Sequence, residues 1–495
     1  MIAWIHGHFH SMKDEKTVYQ QIVTHQGKII LIDDEIDLSA CDRVIDFKGA
    51  HVYPGFVDAH LHLLGYGQHI MQISLDGLNS IEDIIAHLKP YRDKTVLFAE
   101  GYRDLGLTRD DLDRYFPHQR VFLRHSDYHG LTLNSSALHA MGIDHPTGIL
   151  KEEEASSVMT RLPKVDQKAL EKMLEKAIDS LYAFGVTGGH SDDLYYFNGF
   201  FDTLNVFEDV LPKKPFRTHL LMHHMTLDDF IQSKKSWGIQ TPYLELGAIK
   251  MFYDGTMSSK TALMFHPYQQ MTTQGEVVMG QDAFIQVLKR VRHHGLTAAI
   301  HVIGDRGLDE VCDILLAHPP QPHQKDRIIH APWAKVDTLM KLKKLQVTLD
   351  IQPQFLSSDL PKAWSHFSQR PELIFPWKTY LKEGLILSGS SDAPVEIPNP
   401  LQGMKDAIFR RSHEDHQCYA LEESLTPFEA LKCYTTDANA LNFISPKGLL
   451  EKGYLADFTI LDQDVLTMKE HDFDRHHVVM TVINEQVVYD ITDKA

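Results

Sequence analysis

Short apolar runs set the rhythm of the middle of the chain. They fall at Phe56–Leu63, Val186–His190, Arg217–His223, Leu246–Tyr253, Leu296–Ile303, Arg327–Ala331, Val347–Ile351 and Leu385–Asp392. Helical spacing lies between most of them, as at Gln167–Phe184, Gln281–His294, Gly307–Ala317 and Val336–Leu345. Strands buried on both faces read as continuous apolar runs, and their alternation with helices predicts βαβ units around a parallel sheet. Eight such units favour a (β/α)8 TIM-like barrel over a doubly wound sheet. The rhythm breaks once. Residues 65–162 separate the first run from the next unit, too long a stretch for a loop, so they predict an inserted subdomain after the first barrel strand.

The two ends follow a different pattern. Val18–His25 and Lys28–Ile32 flank Gln26-Gly27, and Val44–Phe47 and His51–Tyr53 flank Lys48-Gly49. Near the other end, Asp457–Leu461 reads as a strand, and Val478–Ile483 and Gln486–Tyr489 flank Asn484-Glu485. This is hairpin patterning. Chain ends often lie close together, so the two β-rich ends are expected to pair into one small sheet.

Composition narrows the function classes. Of 495 residues, 43% are apolar and 23% charged, ordinary for a globular protein and wrong for disordered, collagen-like or coiled-coil chains. The net charge of −18 makes nucleic acid and anionic membrane poor partners, because phosphate repels it. No apolar run reaches membrane-spanning length, and the first residues lack a charged segment leading into an apolar one. Cys41, Cys312, Cys418 and Cys433 form no CxxC and no disulfide framework. A soluble protein of the reducing cytoplasm is expected. The unusual number is 31 histidines, since histidine is the commonest metal ligand.

Position matters more than that count. His60 and His62 end the first apolar run, and residues two apart in a strand share a face. Two imidazoles would converge on one point, as a metal requires. HxH alone also occurs on solvated strand faces, but Phe56 and Val57 place this pair in a core strand, where buried histidines need partners. Lys250 lies inside another apolar run, and a buried lysine is costly unless paired or modified. His301 and His330 each end a run, and Asp392 ends the last. A single one of these groups reads as a satisfied core histidine, an edge lysine or an N-cap. Together, five strands each deliver chemistry at the end where barrel active sites lie. Four histidines, an aspartate and a lysine suit one or two borderline cations such as Zn²⁺. His6, His8 and His10 also alternate, but in the end region, and are expected on a solvated strand face.

Tyr53-Pro-Gly-Phe-Val-Asp-Ala-His-Leu-His62, the lysine strand, the two single-histidine strands and Gly389-Ser-Ser-Asp392 resemble the amidohydrolase superfamily. Further segments resemble its YtcJ-like branch, which includes N-substituted formamide deformylase. They are His125–His129 with Asn134–Leu138, Gly148–Glu152, Lys250–Gly255 with Thr261-Ala262, His301–Asp305 and Gly453–Asp457. The resemblance covers nearly the whole chain. It implies a barrel over 56–64 and 163–444, a β-sandwich from 1–55 and 445–495, and an inserted α+β substrate-pocket subdomain over 65–162. It also implies metal ligation by His60, His62, Lys250, His301, His330 and Asp392, with Lys250 carboxylated and bridging two ions. The metal is expected to be Zn²⁺, with Fe, Mn or Co accepted by the same donors. Asp392, Lys250 and His330 are the expected catalytic residues. His129, Asn134, Asp254 and His190 are the expected substrate contacts. Two departures from the branch stand out: Ile329 replaces a usual glutamate before His330, and Tyr128 a usual glycine before His129.

The chemistry is coherent. A carbamate turns a cationic lysine into an anionic ligand. A metal lowers the pKa of water towards 7 and polarises a carbonyl. Asp392 can move the proton to a leaving amine. The expected activity is hydrolysis of a non-peptide C–N bond in a small-molecule amide, formamide or cyclic amide. Alternatives are heterocycle deamination at a mononuclear site and a non-catalytic regulatory role on the same scaffold. A homodimer is common among similar proteins.

Overall fold

The computed structural model describes residues 1–33, 37–162 and 165–494. Its central feature is a ring of eight parallel strands. They are β1 (Phe56–Leu61), β2 (Val186–Ser191), β3 (Arg217–His223), β4 (Leu244–Phe252), β5 (Ala298–Val302), β6 (Asp326–His330), β7 (Val347–Ile351) and β8 (Ile386–Gly389). Neighbours in sequence are neighbours in the sheet, from β1 round to β8. Beyond the strand ends, His62 N–H donates to Ala393 O (2.7 Å) and Asp392 N–H to His60 O (2.8 Å), which ties β8 back to β1. Helices including Gln281–His293, Asp305–Ala317 and Pro400–Phe409 lie between or after the strands. The expected TIM-like barrel is what the chain forms. Only β3 and β7 keep the limits expected from the apolar runs. β8 stops at Gly389 because the chain turns at Asp392, whose φ is +56°.

The chain ends form two further sheets. The first is N-terminal throughout, in the order Lys28–Ile32, Ile22–His25, Ile2–Ile5, Arg43–Asp46. The second interleaves the ends: Gln486–Asp490, Val478–Ile483, Phe458–Leu461, His51–Pro54, His8–His10, Val18–Tyr19. Trp4, Phe9, Phe47, Val52, Leu450, Phe458, Ile460 and Val482 form the apolar layer of this sandwich. One sheet was too few, and the reason is local. Asp33 Oδ1 accepts from Gln20 N–H (2.7 Å) and Gln21 N–H (3.0 Å). The run Val18–His25 is therefore split, and its halves enter different sheets. The hairpins at Gln26-Gly27 and Asn484-Glu485 have both turn residues at positive φ, the type I′ geometry that matches strand twist.

The chain divides into two compact units: 1–62 with 178–195 and 199–495, and 63–177 with 196–198. Residues 163–164, where the sequence sets the return to the barrel, lie outside the described residues. The second unit holds a five-stranded sheet ordered Ile149–Lys151, Gly130–Leu133, Arg120–His125, Val96–Tyr102, Ile73–Ser74. One apolar cluster gathers Ile84, Leu88, Leu97, Leu112 and Leu123. Another gathers Phe122, Leu131, Leu138, Leu150 and Val158.

Candidate metal centre

Strand register sets the candidate groups at one end of the barrel. Lys250 pairs with Ala299, Phe252 with His301 and Val302 with His330. His60 lies in β1, His62 just past it and Asp392 past β8. His330 (φ +79°) and Asp392 (φ +56°) take left-handed backbone conformations. Such conformations cost about 1–3 kcal/mol each in a non-glycine residue and persist where the surroundings enforce them. At Asp392 the enforcing bonds are its N–H to His60 O and Val395 N–H to Asp392 O (2.9 Å).

The side chains converge. Asp392 Oδ1 lies 3.3 Å from His60 Nε2 and 3.4 Å from His62 Nε2. One donor atom from each of these three residues lies within 4.8 Å of the other two. Lys250 Nζ is 3.0 Å from His60 Nε2. His330 Nε2 is 3.0 Å from His301 Nδ1. The far side of most rings is occupied. His62 Nδ1–H donates to Asp192 O (2.7 Å), His301 Nε2–H to Gly255 O (3.3 Å) and His330 Nδ1–H to Gln352 Oε1 (2.7 Å). These bonds favour the tautomer that leaves His301 Nδ1 and His330 Nε2 as lone pairs facing the cluster, and they turn His62 Nε2 towards Asp392. His60 Nδ1 has no hydrogen-bond partner among the described residues.

The electrostatics suit a cation. Burial pushes His60 well below its usual value and His330 down to about 4, so both are neutral donors at pH 7. Burial also lowers Lys250, disfavouring an ammonium. Burial would raise Asp392, but the hydrogen bond and charge of the neighbouring His62 lead the interactions that outweigh it and hold the carboxyl below its usual value. Neutral His60 and His330, a carboxylate that raises the neighbouring His62, and a lysine that resists charging form a donor set that fits one or two divalent ions.

The remaining predicted residues have other surroundings. Asp254 is buried and accepts from Ile303 N–H (2.9 Å), Gly304 N–H (2.8 Å) and Leu263 N–H (2.8 Å). It ties the segment after His301 to the segment after β4, a positioning task. His190 is buried against His219, ring centroids 4.7 Å apart. In the second unit, Asn134 caps the helix Ser135–Met141. Its Oδ1 accepts from Val121 N–H and Ala137 N–H, and its Nδ2 donates to Phe116 O and Gln119 O. With every polar valence used and no exposure, its task is structural. His129 Nδ1 faces Glu152 Oε2 at 3.0 Å and stays partly exposed. Tyr128 keeps the positive φ (+61°) that a glycine would tolerate. Its hydroxyl donates to Glu100 Oε2 (3.0 Å) and lies 3.1 Å from His69 Nδ1. Ile329 packs with Leu221, Ala248 and Ala299, and the support of His330 comes from Gln352 instead.

Sequence reasoning missed Gln352, the carbonyl of Asp192 and the Asp58–Ser391 pair. Asp58 Oδ2 accepts from Ser391 Oγ–H (2.6 Å) and Oδ1 from His60 N–H (3.1 Å), bracing β1 against the turn before Asp392. Gln352 carries the signal used for the histidines, a polar residue directly after an apolar run. The Asp192 carbonyl carries no side-chain signal at all.

The chain is similar to known proteins over most of its length. A family model described as "Amidohydrolase family" matches residues 43–489. The Bacillus subtilis protein named "Putative amidohydrolase YtcJ" is 34% identical over 481 residues, covering 90% of each chain. The N-substituted formamide deformylase of Arthrobacter pascens is 24% identical over 529 residues, covering 96% of this chain and 95% of that one. The crystal structure of an uncharacterized metal-dependent hydrolase from Pyrococcus horikoshii OT3 superposes with a TM-score of 0.82 at 27% identity, covering 96% of this chain and 99% of that one.

Proposed function

The chain belongs to the amidohydrolase family, and from that premise we propose that it is a metal-dependent hydrolase of a non-peptide C–N bond in a small-molecule amide, formamide or cyclic amide. The observation that carries the reading is the set of converging ring nitrogens with their far nitrogens tied back. His60, His62 and Asp392 would hold one ion, His301 and His330 a second, and Lys250 as its carbamate would bridge them. Carbamate formation joins Lys250 Nζ to CO₂ and releases one proton. When bound, the metal supplies Lewis acidity and lowers the pKa of water.

The side chains then do the following. Asp392, a carboxylate whose pKa lies below its usual value, accepts the proton released as water oxygen bonds to the scissile carbonyl carbon. It returns that proton to the departing nitrogen as the C–N bond breaks. His330 keeps its donor lone pair towards the reacting groups because Gln352 takes its Nδ1–H.

Asp392→Asn tests the reading. With Zn²⁺ and bicarbonate supplied, the wild type is expected to hydrolyse members of an amide, formamide and cyclic-amide panel. The variant is expected to lose on the order of 10²–10⁴-fold, the usual worth of a general base. Wild-type protein holding well below one ion per chain and hydrolysing nothing in the panel would overturn the proposal. Release of ammonia from heterocycles alone would favour deamination.

A further inference from the structure

The alternating histidines at the N-terminus form a cluster of their own. His6 is exposed and outside the strand, but His8 and His10 lie in the strand His8–His10, and His10 is buried. That strand pairs in parallel with His51–Pro54, with His8 opposite His51. His10 Nε2 lies 3.1 Å from His51 Nδ1. Asp464, in the turn three residues beyond the strand Phe458–Leu461, places Oδ1 4.0 Å from His10 Nε2. One donor atom from each of His10, His51 and Asp464 lies within 4.8 Å of the other two. His8 also stacks on His51, ring centroids 4.8 Å apart.

We propose that His10, His51 and Asp464 form a second metal site, on the β-sandwich, for Zn²⁺ or a similar borderline divalent cation. Three observations carry it. The first is spacing: nitrogens on a tetrahedral zinc with bonds of about 2.0–2.1 Å lie roughly 3.3 Å apart, close to the 3.1 Å seen here. The second is the outer support that metal ligands require. Buried Tyr53 donates its hydroxyl to Asp464 Oδ1 (2.8 Å), Leu466 N–H donates to the same oxygen (3.0 Å), and the Tyr53 ring stacks on His10 at 4.5 Å. The third is access. His51 and Asp464 are partly exposed, which gives the ion an entry path and leaves a fourth position to water. The ligands come from both ends of the chain, so the ion would clip the C-terminal turn to the N-terminal strands. Binding to the folded chain alone stabilises it in proportion to the logarithm of metal concentration.

Elemental analysis of Zn²⁺-loaded full-length protein after equilibrium dialysis tests the proposal. His51→Ala and Asp464→Asn are each expected to hold one zinc per chain fewer than the wild type, with amide hydrolysis unchanged. The difference is read whether or not the barrel site binds metal, so it stands apart from the proposed activity. Equal zinc content in wild type and both variants would overturn the proposal and leave a plain N–H···N hydrogen bond between His10 and His51. If both variants unfold, hydrogen exchange on the unaltered chain decides. Zn²⁺ is expected to slow exchange in residues 8–10, 51–54 and 464–466, and unchanged exchange there overturns the site.

Discussion

Replacing Gln352 by leucine tests whether the metal centre depends on the bonds behind its ligands. Gln352 and His330 are 3% and 4% exposed, so water cannot replace what the substitution removes. Gln352 Oε1 accepts from His330 Nδ1–H at 2.7 Å, while its Nε2 donates to Ser390 Oγ at 2.8 Å and Asp350 O at 3.1 Å. Leucine fills the space but leaves the imidazole N–H unsatisfied, at a cost of about 1–3 kcal/mol. It also frees the ring to flip its tautomer and turn a proton towards the ion. Loss of such a partner typically lowers metal affinity or activity 10–100-fold, or roughly 1.4–2.8 kcal/mol. Both routes give the same range. Zn²⁺ affinity measured by chelator competition is expected to fall by that factor, with kcat restored in part by excess metal. Gln352→Glu is expected to hold affinity near wild type, because a carboxylate accepts the same N–H. A leucine variant that binds Zn²⁺ and turns over like the wild type would refute the reasoning, even if its Tm falls.

Two predictions concern the inserted unit. Asn134→Ala deletes a helix cap and leaves Phe116 O, Gln119 O and Val121 N–H without their partner. It is expected to destabilise that unit by about 2–4 kcal/mol in urea unfolding while leaving metal content unchanged, and a loss below about 0.5 kcal/mol would contradict the structural role. His69 predicts a pH dependence. Burial opposes its protonation, but Asp76 at 3.2 Å and Glu100 at 3.4 Å outweigh it and raise the imidazole to about 9. Because the folded value lies above the unfolded value near 6.5, the contribution is complete below about pH 6.5 and is lost as pH rises through 9. Allowing for screening at half-exposed Asp76, it amounts to about 1–2 kcal/mol. Hydrogen exchange in residues 63–177 is expected to quicken over that pH range in the wild type and less so in His69→Gln, and parallel curves would refute the pairing.

The barrel was legible because its signal is local. Apolar runs mark strands, the period of two sets His60 and His62 on one face, and a charged or imidazole group ending a core strand stands out against its neighbours. Each such feature lies within a few residues. What was not legible depends on atoms that only the fold brings together. His62 is oriented by the carbonyl of Asp192, and any residue at 192 offers a carbonyl. Asp254 and Asn134 read as polar groups with chemistry to do, yet the backbone N–H and C=O groups they satisfy are as distant in sequence as Gly304 and Phe116. Buried backbone must be paired, and a side chain recruited for that has no valence left for substrate. The same reasoning separates the two histidine clusters. His60 and His62 reveal themselves through adjacency, whereas His10 meets His51 across a parallel strand pair and Asp464 from the far end of the chain. Period two put His8 and His10 on one face, and their place in the end region suggested that the face was solvated. Only the sheet that interleaves both termini buries His10 against a second imidazole. A histidine pattern therefore tells which side chains point together, while the partner strand decides whether they meet water, each other or a metal.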